Sequence, residues 1–188
     1  MEKGSPGEFF ISVDVETAGP APSQYSMLSI GACTVTEPHK TFYIELKPVN
    51  MDFTPEALAS CNLSMEKLAA EGVEPAEALQ RFETWVEEIT PAEARPIFVG
   101  FNAPFDWMFV NDYFQRFLKK NPFGHAALDI KSYYMGLTKG SWSKTTMRHV
   151  GPRYLNQQAL SHHALRDAID QAIIFHRMLN EANQSHWD

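Results

Sequence analysis

The sequence predicts an α/β fold in which helices flank one mixed sheet. Near the amino terminus, residues 8–15 (EFFISVDV) are apolar on both faces for most of their length, which is typical of a central strand covered on both sides. After about residue 54 the spacing of apolar residues changes from strand-like to helical, and the later segments alternate strand with helix. Such an order builds one layered domain. We therefore expect a single domain over residues 1–188.

Five segments are predicted to form the sheet. Residues 8–15 make the central strand, and residues 27–35 and 40–46 follow so closely that they suggest an antiparallel meander. Residues 96–101 predict a fourth strand and residues 128–134 a fifth. In the third strand, Phe42, Ile44 and Leu46 alternate with polar residues, as is typical of a half-exposed strand.

The helices are predicted from caps and from helical spacing. Thr54 followed by Pro55 is typical of a helix start, and Ser64 opens a second short helix. Apolar side chains three and four apart predict longer helices over residues 75–89, 104–118 and 166–180. Residues 136–161 are predicted to be loop-rich and basic.

The distribution of charge bears on possible partners. The formal net charge is −7, which is unusual for a nucleic-acid-binding protein. Residues 1–118 carry a formal charge of −11, whereas residues 119–153 hold seven basic groups and one acid, Asp129, and so carry +6. Two interpretations stay open: an ordinary solvated face, or a phosphate-attracting patch beside an acidic metal site.

Neither a membrane span nor a secretory signal is predicted. The apolar stretches are too short or too interrupted to cross a bilayer, and residues 1–8 lack the apolar region of a signal peptide. Cys33 and Cys61 have no spacing typical of a zinc site. We expect two buried thiols in a cytoplasmic protein, a single disulfide being the alternative.

The first group of candidate functional residues ends the first strand. Asp14 and Glu16 stand two apart, so that both side chains point to the same face of a strand. Burying two like charges is costly unless a cation neutralises them. Taken alone, the pair also fits two exposed acids at a strand end.

Two further groups lie at predicted helix starts. Asp106 falls in the first turn of a helix, where the helix dipole favours an acid whatever its role, and Asn102 could cap that helix. Asp167 begins the last helix, and His162 precedes it by five residues. Five helical steps rotate by about 140°, so we expect His162 in the preceding loop, free to reach the site.

Three neighbouring groups compete with these for a role, and each has a simpler structural interpretation. We expect His163 at the surface, His176 as a satisfied group on the last helix, and Asp170 at a solvated helix position.

Together the groups predict a catalytic metal site. Magnesium prefers oxygen ligands and is bound through a few carboxylates. Two such ions about 4 Å apart can clamp the attacking and leaving oxygens of a phosphoryl displacement, and a histidine can accept the proton of water. The predicted catalytic residues are Asp14, Glu16, Asp106, Asp167 and His162.

Three motifs carry a resemblance to a known family. They are Asp14-x-Glu16-Thr17, Asn102-x-x-Phe105-Asp106 and His162-x-Ala164-x-x-Asp167-Ala168. Their order and spacing resemble the DEDD superfamily of 3′→5′ exonucleases, in the subclass that uses a histidine base. Within it, residues 13–19, 55–59 and 120–123 resemble the ribonuclease T family.

The resemblance implies a fold, an activity and a metal. The implied fold is ribonuclease H-like, with a mixed five-stranded sheet. The implied activity is hydrolysis of phosphodiester bonds at the 3′ end of single-stranded RNA or DNA, which releases nucleoside 5′-monophosphates. The four acids would hold two Mg²⁺ ions, which Mn²⁺ could replace, and His162 would be the general base. A homodimer is also implied, because several relatives are dimers.

The resemblance also implies a substrate-binding set. Thr17 and Ala18 would meet the terminal nucleotide, and Met27 or Leu28 would wedge against the last base. Phe105 would stack on a base or pack in the core. Asn102 and His162 complete the set by their places in the motifs.

Two departures from the family's pattern leave substrate preference open. Phe101 stands where the second motif often begins with histidine, and Ser29 stands where many relatives have glutamate. Two other functions are considered: a proofreading subunit that associates with a polymerase, and a non-catalytic nucleic-acid-binding module. Loss of a carboxylate would favour the module, and none of the four is missing.

Overall fold

The computed structural model describes residues 7–155 and 163–184. Within them the chain forms a five-stranded sheet in the order β3-β2-β1-β4-β5. The strands are β1 (Gly7–Thr17), β2 (Met27–Thr34), β3 (Thr41–Glu45), β4 (Ala94–Gly100) and β5 (Ala127–Asp129). β1, β2 and β3 pair antiparallel, while β4 and β5 run parallel to β1. The predicted mixed sheet and its meander are confirmed.

The predicted helices and their caps are largely confirmed. The helices are α1 (Pro55–Cys61), α2 (Met65–Glu71), α3 (Pro75–Ile89), α4 (Ala103–Tyr113), α5 (Ile130–Thr138), α6 (Met147–Tyr154) and α7 (Ala164–Gln184). The Thr54 hydroxyl accepts a hydrogen bond from the Ala57 amide, and the Ser64 hydroxyl accepts one from the Lys67 amide. None of the helices described is long and apolar enough to span a bilayer.

The sheet is covered on both faces. Ile11 and Val13 of β1 belong to one buried cluster together with side chains of α3 and α4. On the other face, Phe10 of β1 packs edge-on against Phe175 of α7, with ring centroids 5.4 Å apart. The two-sided packing explains why the β1 sequence is almost continuously apolar. Cys33 and Cys61 are buried free thiols, as expected.

The predicted fifth strand is too long. β5 ends at Asp129, and α5 occupies all of the remaining predicted strand. The Asp129 carboxylate accepts hydrogen bonds from the amide and the hydroxyl of Ser132, at 3.0 and 2.6 Å, and so caps a helix. The prediction of a loop-rich segment over residues 136–161 is wrong in part, because α6 and a 3₁₀ turn at Trp142–Lys144 lie there. Residues 156–161 of that segment lie outside the described residues.

The predicted helix over residues 104–118 consists of two parts. α4 passes into a π-helical turn at Phe114–Leu118, which ends where Lys119 adopts a φ of 59°. The aromatic residues four apart that predicted this helix line the sheet-facing side, including Phe109 and Tyr113.

Candidate active site

Asp14 and Glu16 lie at the carboxyl end of β1. β1, β4 and β5 are parallel, so their carboxyl ends meet at the same edge of the sheet. Both acids are half-buried, whereas Val13 and Val15 between and beside them are buried in the opposite core. The alternation places the two carboxylates on the face that α7 covers.

A glycine brings the third acid to this face. Gly31 of β2 pairs with Asp14, and a Cβ at Gly31 would lie 2.2 Å from backbone atoms of Ala164 and Leu165. The first turn of α7 therefore rests directly on the strand beside Asp14. As a result Asp14, Glu16 and Asp167 each offer an oxygen within 4.8 Å of the others.

Asp106 reaches the same place from α4. The pairing of β1 with β4 ends at Ser12 and Val99. Beyond it the Val15 amide donates to Asp106 Oδ1 at 3.0 Å, so that the first turn of α4 lies against the end of β1. Only 5% of Asp106 is exposed, and its charge acts on that of Asp14. The four predicted acids thus converge at one edge of the sheet.

The start of α4 is held by a residue that the sequence did not suggest. Asp129 Oδ1 accepts hydrogen bonds from the amides of Asn102 and Ala103 at 3.0 and 3.1 Å. Asn102 occupies the N-cap position with a φ of 71°, but its side chain makes no capping hydrogen bond. The predicted capping role of Asn102 is therefore wrong: the exposed side chain leaves that role to Asp129.

Gln171 is a second residue that the sequence analysis missed. Its Nε2 donates to Asp14 Oδ1 at 2.7 Å, and its Oε1 accepts from the Phe101 amide at 2.9 Å. It is 3% exposed. Gln171 stands four residues after Asp167 and therefore shares its face of α7, which is the sequence signal that could have found it.

The crowding of acids raises their pKa values. Burial raises the pKa of Asp14 well above its usual range, and the charges of Asp106, Glu16 and Asp167 raise it further. Burial and Asp167 raise the pKa of Glu16 to about 7. Burial also raises the pKa of Asp106 to about 7, although the hydrogen bond from Val15 opposes that rise. An oxygen-only donor set with excess negative charge fits a hard divalent cation.

A cleft of about 390 Å³ opens beside Glu16. Its lining includes Thr17 and Phe105. The opposite wall is formed by Thr54, which precedes α1, and by α1 itself. Phe105 also packs against Phe109, with centroids 5.5 Å apart. The packing interpretation of its role is therefore confirmed, while stacking on a base stays a prediction. The backbone of Ala18, whose side chain is buried, links the cleft floor to Thr54 and to Ser26 by hydrogen bonds of 2.8 Å.

The residues expected to wedge against a base are packed inside. Met27 and Leu28 have no exposed surface, and the Met27 amide donates to the Tyr113 hydroxyl at 2.8 Å. A wedge would require one of these side chains to leave the core. Neither side chain can therefore contact a base while it keeps this packing.

The histidines and Asp170 differ from expectation in part. His162 lies outside the described residues. His163, expected at the surface, is half-buried and stacks on Tyr43 with centroids 4.7 Å apart. Asp170, expected in solvent, is 9% exposed, and burial and Asp167 raise its pKa. It faces inward because α7 lies on the sheet over most of its length, which turns positions 167, 170 and 171 toward the strands.

Comparison with known proteins assigns the family. Residues 10–179 match the Rv2179c-like domain, described as a 3′–5′ exoribonuclease domain. The chain belongs to this family. It is also 45% identical over 177 residues to the 3′–5′ DNA exonuclease Cap18 of Escherichia coli, an alignment that covers 94% of each protein. The chain is therefore a 3′–5′ exonuclease, and the predicted enzyme class is confirmed.

Solved structures confirm the fold. The nuclease domain of 3′hExo, a DEDDh family member bound to rAMP, superposes with a TM-score of 0.78 at 16% identity, over 92% of each chain. Escherichia coli exonuclease I in complex with a dT13 oligonucleotide gives a TM-score of 0.73 at 15% identity. That match covers 94% of this chain and 42% of the other.

Proposed function

We propose that this exonuclease removes nucleotides one at a time from the 3′ end of single-stranded nucleic acid and releases nucleoside 5′-monophosphates. Two divalent cations would take part, Mg²⁺ by preference and Mn²⁺ in its place. The convergence of acids from β1, α4 and α7 carries the proposal, because oxygens of three of them lie within 4.8 Å of one another. The proposed ligands are Asp14, Glu16, Asp106 and Asp167.

When bound, the cations would supply charge stabilisation for the attacking and leaving oxygens. The protein's part is to hold the ligands ready. The Gln171 amide fixes Asp14, and the Val15 amide fixes Asp106. Both carboxylates are thus oriented by hydrogen-bond donors that carry no charge and so leave the negative charge available to metal.

The cleft beside Glu16 is the proposed place for the terminal nucleotide. Thr17 lies at its floor, where its hydroxyl donates to the Gly19 carbonyl at 2.9 Å. Phe105 offers an aromatic wall, on which a base can stack. We further propose that Ala18 and Asn102 contribute backbone and exposed side-chain contacts, respectively.

His162 is the proposed general base. Its place follows from the sequence, immediately before the point where the Asp167 amide donates to the His163 carbonyl and α7 begins. A protonated imidazole accepts no proton, so the rate should fall at acid pH, and His162→Ala should lower it strongly. A rate that is flat with pH would remove His162 from this role.

Single-stranded DNA is the substrate that we propose first. The Escherichia coli relative at 45% identity is named a DNA exonuclease, whereas the family description names a ribonuclease. Parallel digestion of matched single-stranded DNA, single-stranded RNA and duplexes with 3′ overhangs decides between them. Faster release from RNA would reverse this assignment without affecting the chemistry.

The direct test is metal-dependent release of mononucleotides. A 5′-labelled oligonucleotide should shorten from its 3′ end with Mg²⁺ or Mn²⁺, and the products should be nucleoside 5′-monophosphates. EDTA and Asp14→Ala should each stop the reaction. Full activity of Asp14→Ala, or an inactive wild-type protein, would refute the proposal.

Three further assignments from the sequence remain proposals. The family match supports a single exonuclease domain over residues 1–188, because it spans residues 10–179. In analytical ultracentrifugation, a homodimer would give a molecular mass of about twice the 21.3 kDa of one chain. Cell fractionation would test a cytoplasmic location.

A further inference from the structure

A second surface, here named the basic flank, combines four cations with an exposed tryptophan. In a chain with 23 acids, no Asp or Glu occurs between Asp129 and Asp167. Lys139, Lys144 and Arg148 are exposed within this interval. The basic flank consists of Lys131, Lys139, Trp142, Lys144 and Arg148.

The aromatic ring of the basic flank is both exposed and anchored. Trp142 is 52% exposed, while its carbonyl accepts hydrogen bonds from the amide and the hydroxyl of Thr145, at 3.0 and 2.8 Å. Thr145 itself has no exposed surface. Lys131 Nζ lies 4.3 Å from the centroid of the Trp142 ring. The ring is therefore held outward on a fixed backbone, with a cation on one face.

The basic flank begins beside the acid cluster. Lys131 lies in the first turn of α5, two residues after Asp129. Asp129 accepts the amide hydrogens of Asn102 and Ala103, which open the helix that carries Asp106. The starts of α4 and α5 are thus joined at the edge of the sheet where the acids meet.

The cations of the basic flank are not used to hold the fold. In residues 7–155 and 163–184, none of Lys131, Lys139, Lys144 and Arg148 forms an ion pair, whereas Arg153 is paired with Glu181. Unpaired cations around an exposed ring suit a strand with accessible base faces and phosphates. A duplex hides the faces of its bases.

From this arrangement we infer that the basic flank binds the single-stranded substrate on the 5′ side of the bond that is cut. Trp142 stacks on a base, and Lys139, Lys144 and Arg148 contact phosphates. The inference rests on the proposed function for the identity of the strand. It assigns this strand a path from the acid cluster across the start of α5.

The first test measures binding separately from hydrolysis. Fluorescence anisotropy of a labelled single-stranded DNA of about 15 nucleotides, recorded in EDTA, reports affinity without cleavage. Trp142→Ala should weaken binding about tenfold, and Trp142→Leu should do the same, while Trp142→Phe should stay within about twofold. Met51→Ala is the matched control, because Met51 is a comparably exposed apolar side chain outside the basic flank.

The second test uses salt. Each phosphate contact of a single strand contributes about 0.7 to the slope of log affinity against log salt. Lys144→Ala should reduce the slope by about that amount, and Lys40→Ala, at the exposed turn between β2 and β3, should leave it unchanged. An acidic peptide such as polyglutamate should compete far less well than the oligonucleotide.

The outcomes separate this inference from the proposed function. With metal present, Trp142→Ala should raise KM for the same oligonucleotide more than it lowers kcat, because the inferred role of Trp142 is to bind the strand. Binding that depends on Trp142 in a protein without nuclease activity would refute the proposed function alone. Wild-type affinity in Trp142→Ala, equal losses in Trp142→Phe and Trp142→Ala, or equal competition by polyglutamate would overturn the basic flank as a stacking site.

Discussion

The acid cluster and the start of the basic flank lie at the same edge of the sheet, but the two features are built in opposite ways. The acid cluster collects four carboxylates from β1, α4 and α7, which are far apart in the sequence, and buries or half-buries all of them. The basic flank takes its residues from one interval without acids and leaves most of them in solvent. The net charge of −7 conceals both features.

The difference suggests separate roles: the acid cluster is suited to catalysis, and the basic flank is suited to substrate binding. Crowded, buried like charges are costly without a cation, so the acid cluster is arranged for metal rather than for stability. Exposed cations cost little to keep and can hold a mobile strand. Changes in the acid cluster should therefore alter both activity and stability, whereas changes in the basic flank should alter affinity alone.

The largest effect is expected for Asp14→Asn. Loss of this proposed metal ligand should lower the rate of nucleotide release more than about a hundredfold. In EDTA the same variant should raise Tm by about 2–6 °C, because one of the crowded charges is gone. Activity assays and calorimetry check both. If Tm fell instead, the repulsion inferred among the acids would be absent.

Gly31→Ala should have the second largest effect. Its Cβ would lie 2.2 Å from the backbone of Ala164, so the first turn of α7 must shift and carry Asp167 with it. We expect a loss of about 1–3 kcal/mol in the free energy of unfolding and a rate about a hundredfold lower. Gly136→Ala, where nothing lies within 4 Å of the new Cβ, is the control. Wild-type activity in Gly31→Ala would show that this contact does not position Asp167.

A smaller effect is expected from pH on the metal-free protein. Glu16 and Asp106, with pKa values raised to about 7, hold protons in the fold at a pH where the unfolded chain has released them. The site's contribution to stability should therefore grow as pH falls from about 8 to about 5. Thermal unfolding in EDTA measures it. Glu16→Gln should weaken this dependence, and an unchanged slope would contradict the raised pKa.

The smallest effect should come from Asp170→Asn. Asp170 is buried one turn from Asp167 but is not among the acids whose oxygens lie together. We expect its rate to stay within about threefold of wild type, since asparagine has nearly the same shape. His163→Ala should likewise have a small effect. A loss equal to that of Asp167→Asn would mean that the ligand on α7 is wrongly assigned.

The sequence predicted those parts of the fold in which local pattern and tertiary packing agree. The boundaries of α3 and the position of β1 follow from the spacing of their apolar residues, because the structure buries those residues as the spacing predicts. The prediction failed after Asp129, where residues 130–134 (IKSYY) were predicted to continue the strand. Only the hydrogen bond from the Ser132 amide to the Asp129 carboxylate reveals that a helix begins there. α6 was missed because Gly151 and Pro152 favour loops in isolation.

The site was predicted through its motifs rather than through its geometry. Separation in the chain hides which side chains meet. The spacing from Asp167 places Gln171 on the same face of α7, but it does not show that Gln171 contacts Asp14, and no spacing indicates the cap by Asp129. Asp170 was misjudged because a helix that lies flat on a sheet buries a wider stripe of residues than one that touches it at an angle.

The bridge made by Gln171 has a consequence for repeated turnover. One amide joins the acid at the end of β1 to the backbone where β4 leaves the sheet. Because that amide neither gains nor loses a proton, it holds the carboxylate whether or not ions are bound. If the proposed cations leave after each cleavage, the carboxylate that would bind the next ones therefore keeps its position.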